Sequence, residues 1–162
     1  MTEETTEKST HWPALAVFLA ISAAAIGVGQ LYPPGQWFAS LNKPAINPPG
    51  WVFPVVWTPL YVMIAVAGWL IWRAGPKSLG MKLWAVQMVL NVAWSAIFFG
   101  AHRPGLALIE ITFLWLAIGA TILAARRLSQ RNAKLAAWLL VPYWLWVSFA
   151  TLLNASFWWL NR

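Results

Sequence analysis

The sequence predicts an all-α integral membrane protein built as a bundle of five transmembrane helices. The first observation is composition, because 60% of the 162 residues are hydrophobic and only 9% are charged, against roughly 25% in a soluble domain. The second is the spacing of the charges, which leaves long charge-free runs at 9–42, 44–72, 83–102, 111–125 and 135–161. A spanning helix needs about 20 apolar residues, and these uninterrupted runs do not alternate as the strands of a membrane barrel do.

Charges, prolines and polar residues set the limits of each predicted span. The spans are 13–31, 51–72, 82–100, 105–125 and 137–160. The first follows a polar tail, 1–11, which lacks the basic region of a cleaved signal peptide, so we expect this span to remain in the protein. The second ends before Arg73, and the third begins at Lys82. The fourth extends across Glu110, which places this carboxylate inside the membrane, and the fifth follows the basic connector 126–134. All five form one domain.

The connector between the first two spans, 32–50, is rich in proline. The stretch Leu41–Pro54 reads LNKPAINPPGWVFP and holds four prolines in fourteen residues. Proline has no backbone donor and a fixed φ, so this stretch is not ordinary helix interior and is either a plain connector or a shaped cover. Proline also lowers the entropy of the unfolded loop, which favours a stable cover, and we therefore predict a lid.

Basic residues are distributed unequally between the two membrane faces. One face would carry eight: Lys8, Arg73, Lys77, Lys82, Arg126, Arg127, Arg131 and Lys134. The other would carry three: Lys43, Arg103 and Arg162. The positive-inside rule then predicts a cytoplasmic N-terminus, with the lid on the outer side of what we expect to be a bacterial cell membrane. The cations are not clustered on one exposed face, so we expect no nucleic-acid partner.

Four side chains from four different spans are predicted to lie at one depth. Trp57 and Trp94 lie six residues inside the outer ends of their spans. Asn154 lies six residues inside its span, and Glu110 lies five. At the helical rise per residue, all four lie about 8–9 Å below the outer interface. Tyr61 lies one turn from Trp57, so this layer beneath the lid is better explained as a pocket than as a lipid-facing surface.

Two helical faces contribute further candidates. Gln87, Asn91 and Ser95 recur at four-residue spacing on the third span, where they could hydrogen-bond to a neighbouring helix or face a ligand. On the fifth span, Ala150 lies one turn from Trp146. Its small side chain leaves room either for close helix packing or for a large flat ligand.

Glu110 has two interpretations. A carboxylate inside a membrane is costly, so it is expected to have a functional partner such as a ligand or a proton. Alternatively, its side chain reaches toward Arg103 or His102 in the short connector 101–104, or is simply protonated. The sequence leaves these alternatives open.

Several reaction classes lack the residues that they need. The chain has no cysteine and two histidines, His11 and His102, which lie near opposite interfaces. They do not form a catalytic zinc site or a haem axial pair, and we predict no metal site. A nucleophile–histidine–carboxylate set and a glycine-rich phosphate loop are also missing.

Three segments resemble the TspO/MBR family, the tryptophan-rich sensory proteins related to the mitochondrial translocator protein. They are LNKPAINPPGWVFPVVWTPLYVMIAVAGWLIW, LNVAWSAIFFG and AAWLLVPYWLWVSFATLLN, in that order, and the similarity covers roughly residues 30–161. The resemblance implies a five-helix membrane bundle, commonly a homodimer, that binds tetrapyrroles such as protoporphyrin IX and haem, and also cholesterol and isoquinoline-type ligands. No cofactor is required beyond such a ligand.

The resemblance also implies a ligand site beneath the first loop. The matching positions are Phe38, Pro48, Trp57, Tyr61, Trp94, Trp146, Ala150 and Asn154. Phe38 stands where relatives often have tyrosine, and Glu110 matches a position that is acidic in some relatives. Asn91 and Glu110 are further polar candidates.

The resemblance implies three alternative functions. The first is a tetrapyrrole sensor or stress regulator. The second is a light-dependent porphyrin-degrading protein, in which Trp57 and Trp146 match the two tryptophans to which this activity is attributed. The third is a transporter of porphyrin or sterol, which the lack of an internal repeat disfavours. The family's sterol motif reads Leu153–Phe157–Arg162 here, with phenylalanine in place of tyrosine, and such motifs are weak evidence.

Small residues at four-residue spacing predict close helix approach, within or between protomers. They are Ala20, Ala24 and Val28, then Ala23 and Gly27, and then Ala117, Thr121 and Ala125.

Overall fold

A computed structural model describes residues 12–162, and the predicted polar tail 1–11 lies outside the described residues. Every helix in this part of the chain is α-helical except one short π-helical segment. The helices are α1 (Trp12–Gln30), α2 (Gln36–Ser40), α3 (Val52–Ala74), α4 (Leu79–Ser95), α5 (Pro104–Arg127) and α6 (Arg131–Leu160), and the π-helix Ala96–Gly100 continues α4. Five of these helices, with α4 and its π-helical extension counted as one, are long and apolar enough to cross a membrane. The predicted all-α membrane fold is confirmed.

The five long helices pack as a closed ring. Helix α1 packs against α3 and α4, α3 packs against α6, α6 against α5, and α5 against α4. The second and fifth spans are therefore neighbours, and the fourth lies between the fifth and the third. Residues from α3, α4, α5 and α6 can consequently face one interior.

The spans agree with the predicted ones except at their inner ends. Helix α5 continues to Arg127, two residues beyond the prediction, and α6 begins at Arg131, six residues before it. The length of a charge-free run predicts how much of a helix lies in hydrocarbon, whereas the helix itself ends where its backbone is capped or turns. Basic residues beyond the charge-free run can therefore still be helical, as expected for residues in the headgroup region.

Glycine permits one close helix contact in the inner half of the ring. Trp84 is 3% exposed and donates its Nε1 hydrogen to the Ile64 carbonyl oxygen across 3.0 Å. A Cβ at Gly68, one turn further along α3, would lie 2.6 Å from Trp84 Cζ2. The absence of a side chain at Gly68 therefore makes room for the indole that joins α4 to α3.

The connector 31–51 covers the end of the ring at which α3 begins and α6 ends, and it contains α2, which was not predicted. Its Lys43 Nζ donates to the Phe38 and Ala39 carbonyl oxygens, both across 3.0 Å, and so closes the C-terminal end of α2. Asn161 at the end of α6 fastens the connector through its side chain. Its Oδ1 accepts from the Asn42 backbone nitrogen across 2.8 Å, and its Nδ2 donates to the Asn42 carbonyl oxygen across 3.1 Å.

Candidate functional site

An aromatic pair on α3 forms one wall of the candidate site. Trp57 and Tyr61 lie one turn apart, and their ring centroids are 5.3 Å apart. The ring of Tyr143 on α6 meets Trp57 edge-on at 6.1 Å. Both predicted residues are half-buried, whereas Tyr143 is fully buried. The structure thus brings Trp57 and Tyr61 together with a tyrosine that the sequence analysis missed.

A chain of hydrogen bonds joins three helices at this wall. The Tyr61 hydroxyl donates to Asn91 Oδ1 across 2.6 Å, and Asn91 Nδ2 donates to the Tyr143 hydroxyl oxygen across 2.8 Å. Asn91 is therefore an interhelical link between α3, α4 and α6. The clue to Tyr143 in the sequence was a lone tyrosine in the middle of a span, where its hydroxyl needs an internal partner.

A second polar link lies nearer the lid. Trp94 Nε1 donates to Asn154 Oδ1 across 2.9 Å, and Asn154 Nδ2 donates to the Pro104 carbonyl oxygen across 2.8 Å. This contact places Trp94 and Asn154 at one level, as predicted. Both atoms of the Asn154 amide and the Trp94 indole nitrogen have protein partners, so these two residues hold α4, α5 and α6 together. The Trp94 ring is stacked on Phe98 at 5.1 Å.

Trp146 differs from Trp94 in having a free donor. Its Nε1 atom is buried and has no hydrogen-bond partner among residues 12–162. Its ring contacts Phe149 at 5.3 Å and Phe53 at 6.1 Å. Ala150, one turn further along α6, is half-buried and packs against the same hydrophobic core. A buried indole N–H without an acceptor suits a ligand that carries one.

Glu110 lies on the buried face of α5 and is 8% exposed. Neither carboxylate oxygen has a hydrogen-bond partner in the described part of the chain. The alternative in which it reaches Arg103 or His102 is therefore not observed. The His102 ring instead stacks on Trp37 of α2 at 4.4 Å, and Arg103 is exposed.

An aromatic cluster fills the space directly beneath the lid. The Phe38 ring lies 5.3 Å from Phe157, 5.4 Å from Phe99 and 6.3 Å from Phe98. The π-helix Ala96–Gly100 places Phe98 and Phe99 on this side. Phe38 is thus part of the lid's underside and reaches the candidate site through Phe98 and the Trp94 ring that stacks on it.

The remaining predicted lid residue, Pro48, is half-buried within the connector. Its placement beneath or beside a ligand stays a prediction.

The three residues of the predicted sterol motif do not form one surface. Leu153 and Phe157 are 6% and 2% exposed and belong to the aromatic cluster. The Arg162 guanidinium instead lies 3.4 Å from the centroid of the exposed Trp159 ring. The first two side chains face the interior and the third faces outward, so a sterol in the lipid could not contact all three.

Metal-binding side chains do not gather in the described residues. Among residues 12–162, no group of three or more His, Asp or Glu side chains is close enough to hold an ion. The candidate site is therefore an aromatic wall with two polar links, one free indole donor and one free carboxylate. Such a lining suits a flat, largely apolar ligand that carries a few polar atoms.

Comparison with known proteins gives consistent results over nearly the whole chain. A sequence profile of the TspO/MBR family matches residues 14–160. The tryptophan-rich protein TspO of Chlorobaculum tepidum is 40% identical over 153 residues, which cover 91% of this chain and 94% of that protein. The tryptophan-rich sensory protein of Cereibacter sphaeroides is 35% identical over 143 residues, or 88% of each chain. The translocator protein of Homo sapiens is 37% identical over 158 residues, covering 90% of this chain and 88% of that protein.

Proposed function

Because this chain belongs to the TspO/MBR family of membrane sensors and receptors, we propose that its ligand is a tetrapyrrole such as protoporphyrin IX or haem. The ligand would lie beneath the lid between α1, α3, α4 and α6, with α5 closing the side of the ring between α4 and α6. The family resemblance supplies the ligand class, and the aromatic wall of the site is compatible with it.

The free indole N–H of Trp146 carries this proposal. Trp94 on α4 has its indole nitrogen bonded to Asn154, whereas the Trp146 nitrogen is buried and has no partner among residues 12–162. A native interior rarely keeps a buried donor without an acceptor. A ligand oxygen or nitrogen would supply one while its ring system packs on Trp57 and Tyr61. Binding through ring faces needs no axial histidine, and none is among the site residues.

Titration of the protein in nanodiscs with protoporphyrin IX, followed by the shift of its Soret band, tests this proposal. Trp146→Phe removes the donor and keeps the ring, so we expect about 2- to 10-fold weaker binding, as for the loss of one hydrogen bond. Trp57→Phe reduces the aromatic surface and is expected to weaken binding similarly. Trp138→Phe is the matched control, because Trp138 lies on the same helix as Trp146 but is 64% exposed. Parent-like affinity in both Trp57→Phe and Trp146→Phe would mean that the ligand binds elsewhere.

Light-dependent porphyrin breakdown is the second candidate, favoured by the contacts of Trp57. Its ring touches two tyrosine rings, at 5.3 and 6.1 Å, so several oxidisable side chains are adjacent. Trp57 would donate one electron to the photoexcited porphyrin, and the adjacent tyrosines would share the radical that remains on the protein. Molecular oxygen would then add across a meso carbon–carbon bond of the porphyrin radical. Return of the electron to the protein would leave a net insertion of both oxygen atoms, which breaks that bond and forms two carbonyl groups. Illumination should then bleach the Soret band faster in the parent than in Trp57→Phe loaded to the same occupancy. Equal rates would exclude a role for this tryptophan.

Two assignments about the whole molecule are also proposals. The first is insertion in a bacterial cell membrane with a cytoplasmic N-terminus, for which the bias of basic residues is the support. The second is a homodimer, which the family resemblance suggests. Membrane lipid is expected to surround the outward faces of the helices. Sterol is not proposed as the ligand, because Leu153 and Phe157 face the interior of the bundle.

A further inference from the structure

Glu110 is a buried carboxylate that the fold itself leaves unsatisfied. It lies on the inward stripe of α5, beside the buried residues Ala107, Ile111 and Leu114. Both of its oxygens are buried, and neither has a partner among residues 12–162. Buried carboxylates are normally paired or hydrogen-bonded, because burying an unpaired one is costly.

The polar groups around Glu110 do not provide the missing partner. The Tyr143 hydroxyl oxygen accepts from Asn91 and forms no hydrogen bond with Glu110. Asn91 uses its two amide atoms on Tyr61 and Tyr143. Asn91, Tyr61 and Tyr143 are thus bonded to one another, whereas both oxygens of the Glu110 carboxylate remain without a partner within residues 12–162.

No basic side chain is paired with Glu110 in the described part of the chain. Arg103, at the start of the same helix, is exposed, and the Arg162 guanidinium stacks on the exposed ring of Trp159. A partner for Glu110 must therefore come with the ligand, which favours a ligand with donor groups directed inward.

We propose that Glu110 selects flat ligands that present an N–H group or a protonated amine to the interior of the site. This inference rests on the proposed function, because it requires a flat ligand to occupy the space next to Trp57 and Trp146. Glu110 accepts the ligand's hydrogen bond, while a carboxylate at the same edge of the ligand is repelled. Free-base protoporphyrin IX has two N–H groups at the centre of its ring, which Glu110 would meet from the ring face, whereas haem has none because its four nitrogens bind iron.

Matched tricyclic probes test the inference. The probes are 9-aminoacridine, a cation with N–H donors, 9-methylanthracene, which is neutral, and anthracene-9-carboxylate, an anion. Their affinities would be measured by competition with protoporphyrin IX in zwitterionic phosphatidylcholine nanodiscs, for the parent, Glu110→Gln and Gln87→Leu. Glu110→Gln keeps the shape of the side chain and removes its charge. Gln87→Leu is the control, because Gln87 is also fully buried without a hydrogen-bond partner in the described residues.

The parent should bind 9-aminoacridine at least about 10-fold more tightly than anthracene-9-carboxylate, the size expected of a hydrogen bond to a charged group. Glu110→Gln should weaken 9-aminoacridine by about the same factor and leave 9-methylanthracene within twofold, while Gln87→Leu changes neither. Equal binding of the cation and the anion by the parent would overturn the inference, even if Glu110→Gln does not fold. A parallel loss of all probes in a folded Glu110→Gln would also overturn it, because it would indicate a structural role. Failure of the parent to bind protoporphyrin IX would instead refute the proposed function.

Discussion

Gln87 and Asn91 lie one turn apart on the buried face of α4 but differ in their hydrogen bonding. Asn91 bonds to two tyrosine hydroxyls on two other helices, whereas neither the oxygen nor the nitrogen of the Gln87 side chain has a partner within residues 12–162. Their spacing is what led the sequence analysis to group them together. Which of them meets a partner depends on which helices face α4, and four-residue spacing carries no information about that.

Replacing each amide by leucine should therefore change stability in opposite directions. Gln87→Leu removes a buried group without hydrogen bonds, so the free energy of unfolding should stay the same or rise by about 1–3 kcal/mol. Asn91→Leu leaves the Tyr61 and Tyr143 hydroxyls without their common partner and should lower it by about the same amount. Thermal melting of both variants in one detergent, followed by circular dichroism, measures the difference. If Gln87→Leu melts well below the parent, its amide has a partner that this structure lacks, such as an internal water.

At the scale of the element, two asparagines join the lid to α6, and their side chains differ in the hydrogen bonds that they form. The Asn161 side chain bonds to the backbone nitrogen and oxygen of residue 42, so the identity of residue 42 hardly matters. The Asn42 side chain adds only a long contact of 3.5 Å to the Leu160 carbonyl oxygen. The two positions are 119 residues apart in the chain, and no local pattern in either segment predicts this pairing.

Asn161→Ala should consequently loosen the lid, whereas Asn42→Ala should not. Losing two hydrogen bonds of about 0.5–1.5 kcal/mol each favours lid opening by roughly 5- to 150-fold. If the lid controls exit, the dissociation rate of protoporphyrin IX should rise by about fivefold or more in Asn161→Ala. Stopped-flow displacement by excess apoglobin gives this rate, with Asn42→Ala as the control. Equal acceleration in both variants would mean that the backbone pairing does not hold the lid closed.

At the scale of the whole molecule, the sequence predicted five spanning helices and the common level of Trp94 and Asn154 but not the packing of the helices. Spans follow from the distance between charges, and depth follows from the rise per residue, which is why Trp94 and Asn154 were correctly placed at one level. The ring order could not be predicted, because lipid is as apolar as the bundle interior and these helices are hydrophobic on all sides. Trp84 shows the limit: it lies near the end of the predicted third span, a position where tryptophan is enriched because of the membrane interface, yet it is 3% exposed.

The two sets of small residues on α1 and α5 differ in burial. Their four-residue spacing is compatible with packing either within a protomer or between protomers. Ala117, Thr121 and Ala125 on α5 are buried within the protomer, so they cannot lie in an interface between protomers. Ala20, Ala24 and Gly27 on α1 are exposed. Hydrophobic periodicity could not separate the two sets, because both repeat at the same spacing. The choice depends on the ring, in which α5 is enclosed by α4 and α6.

Membrane orientation is the property of the whole molecule that can be tested most directly. At the inner ends of the spans, 73–82 and 126–134 carry seven basic residues, whereas the lid side carries Lys43, Arg103 and Arg162. Positive residues are retained on the cytoplasmic side during insertion, so the lid should face outward. Because the chain has no cysteine, single variants report the topology without a background. Ile46→Cys in the lid should react with an impermeant maleimide in intact cells, and Lys77→Cys between α3 and α4 should react only after the membrane is made permeable. The reverse pattern would mean that the lid faces the cytoplasm. Labelling of both cysteines in intact cells would mean that the protein inserts in both orientations.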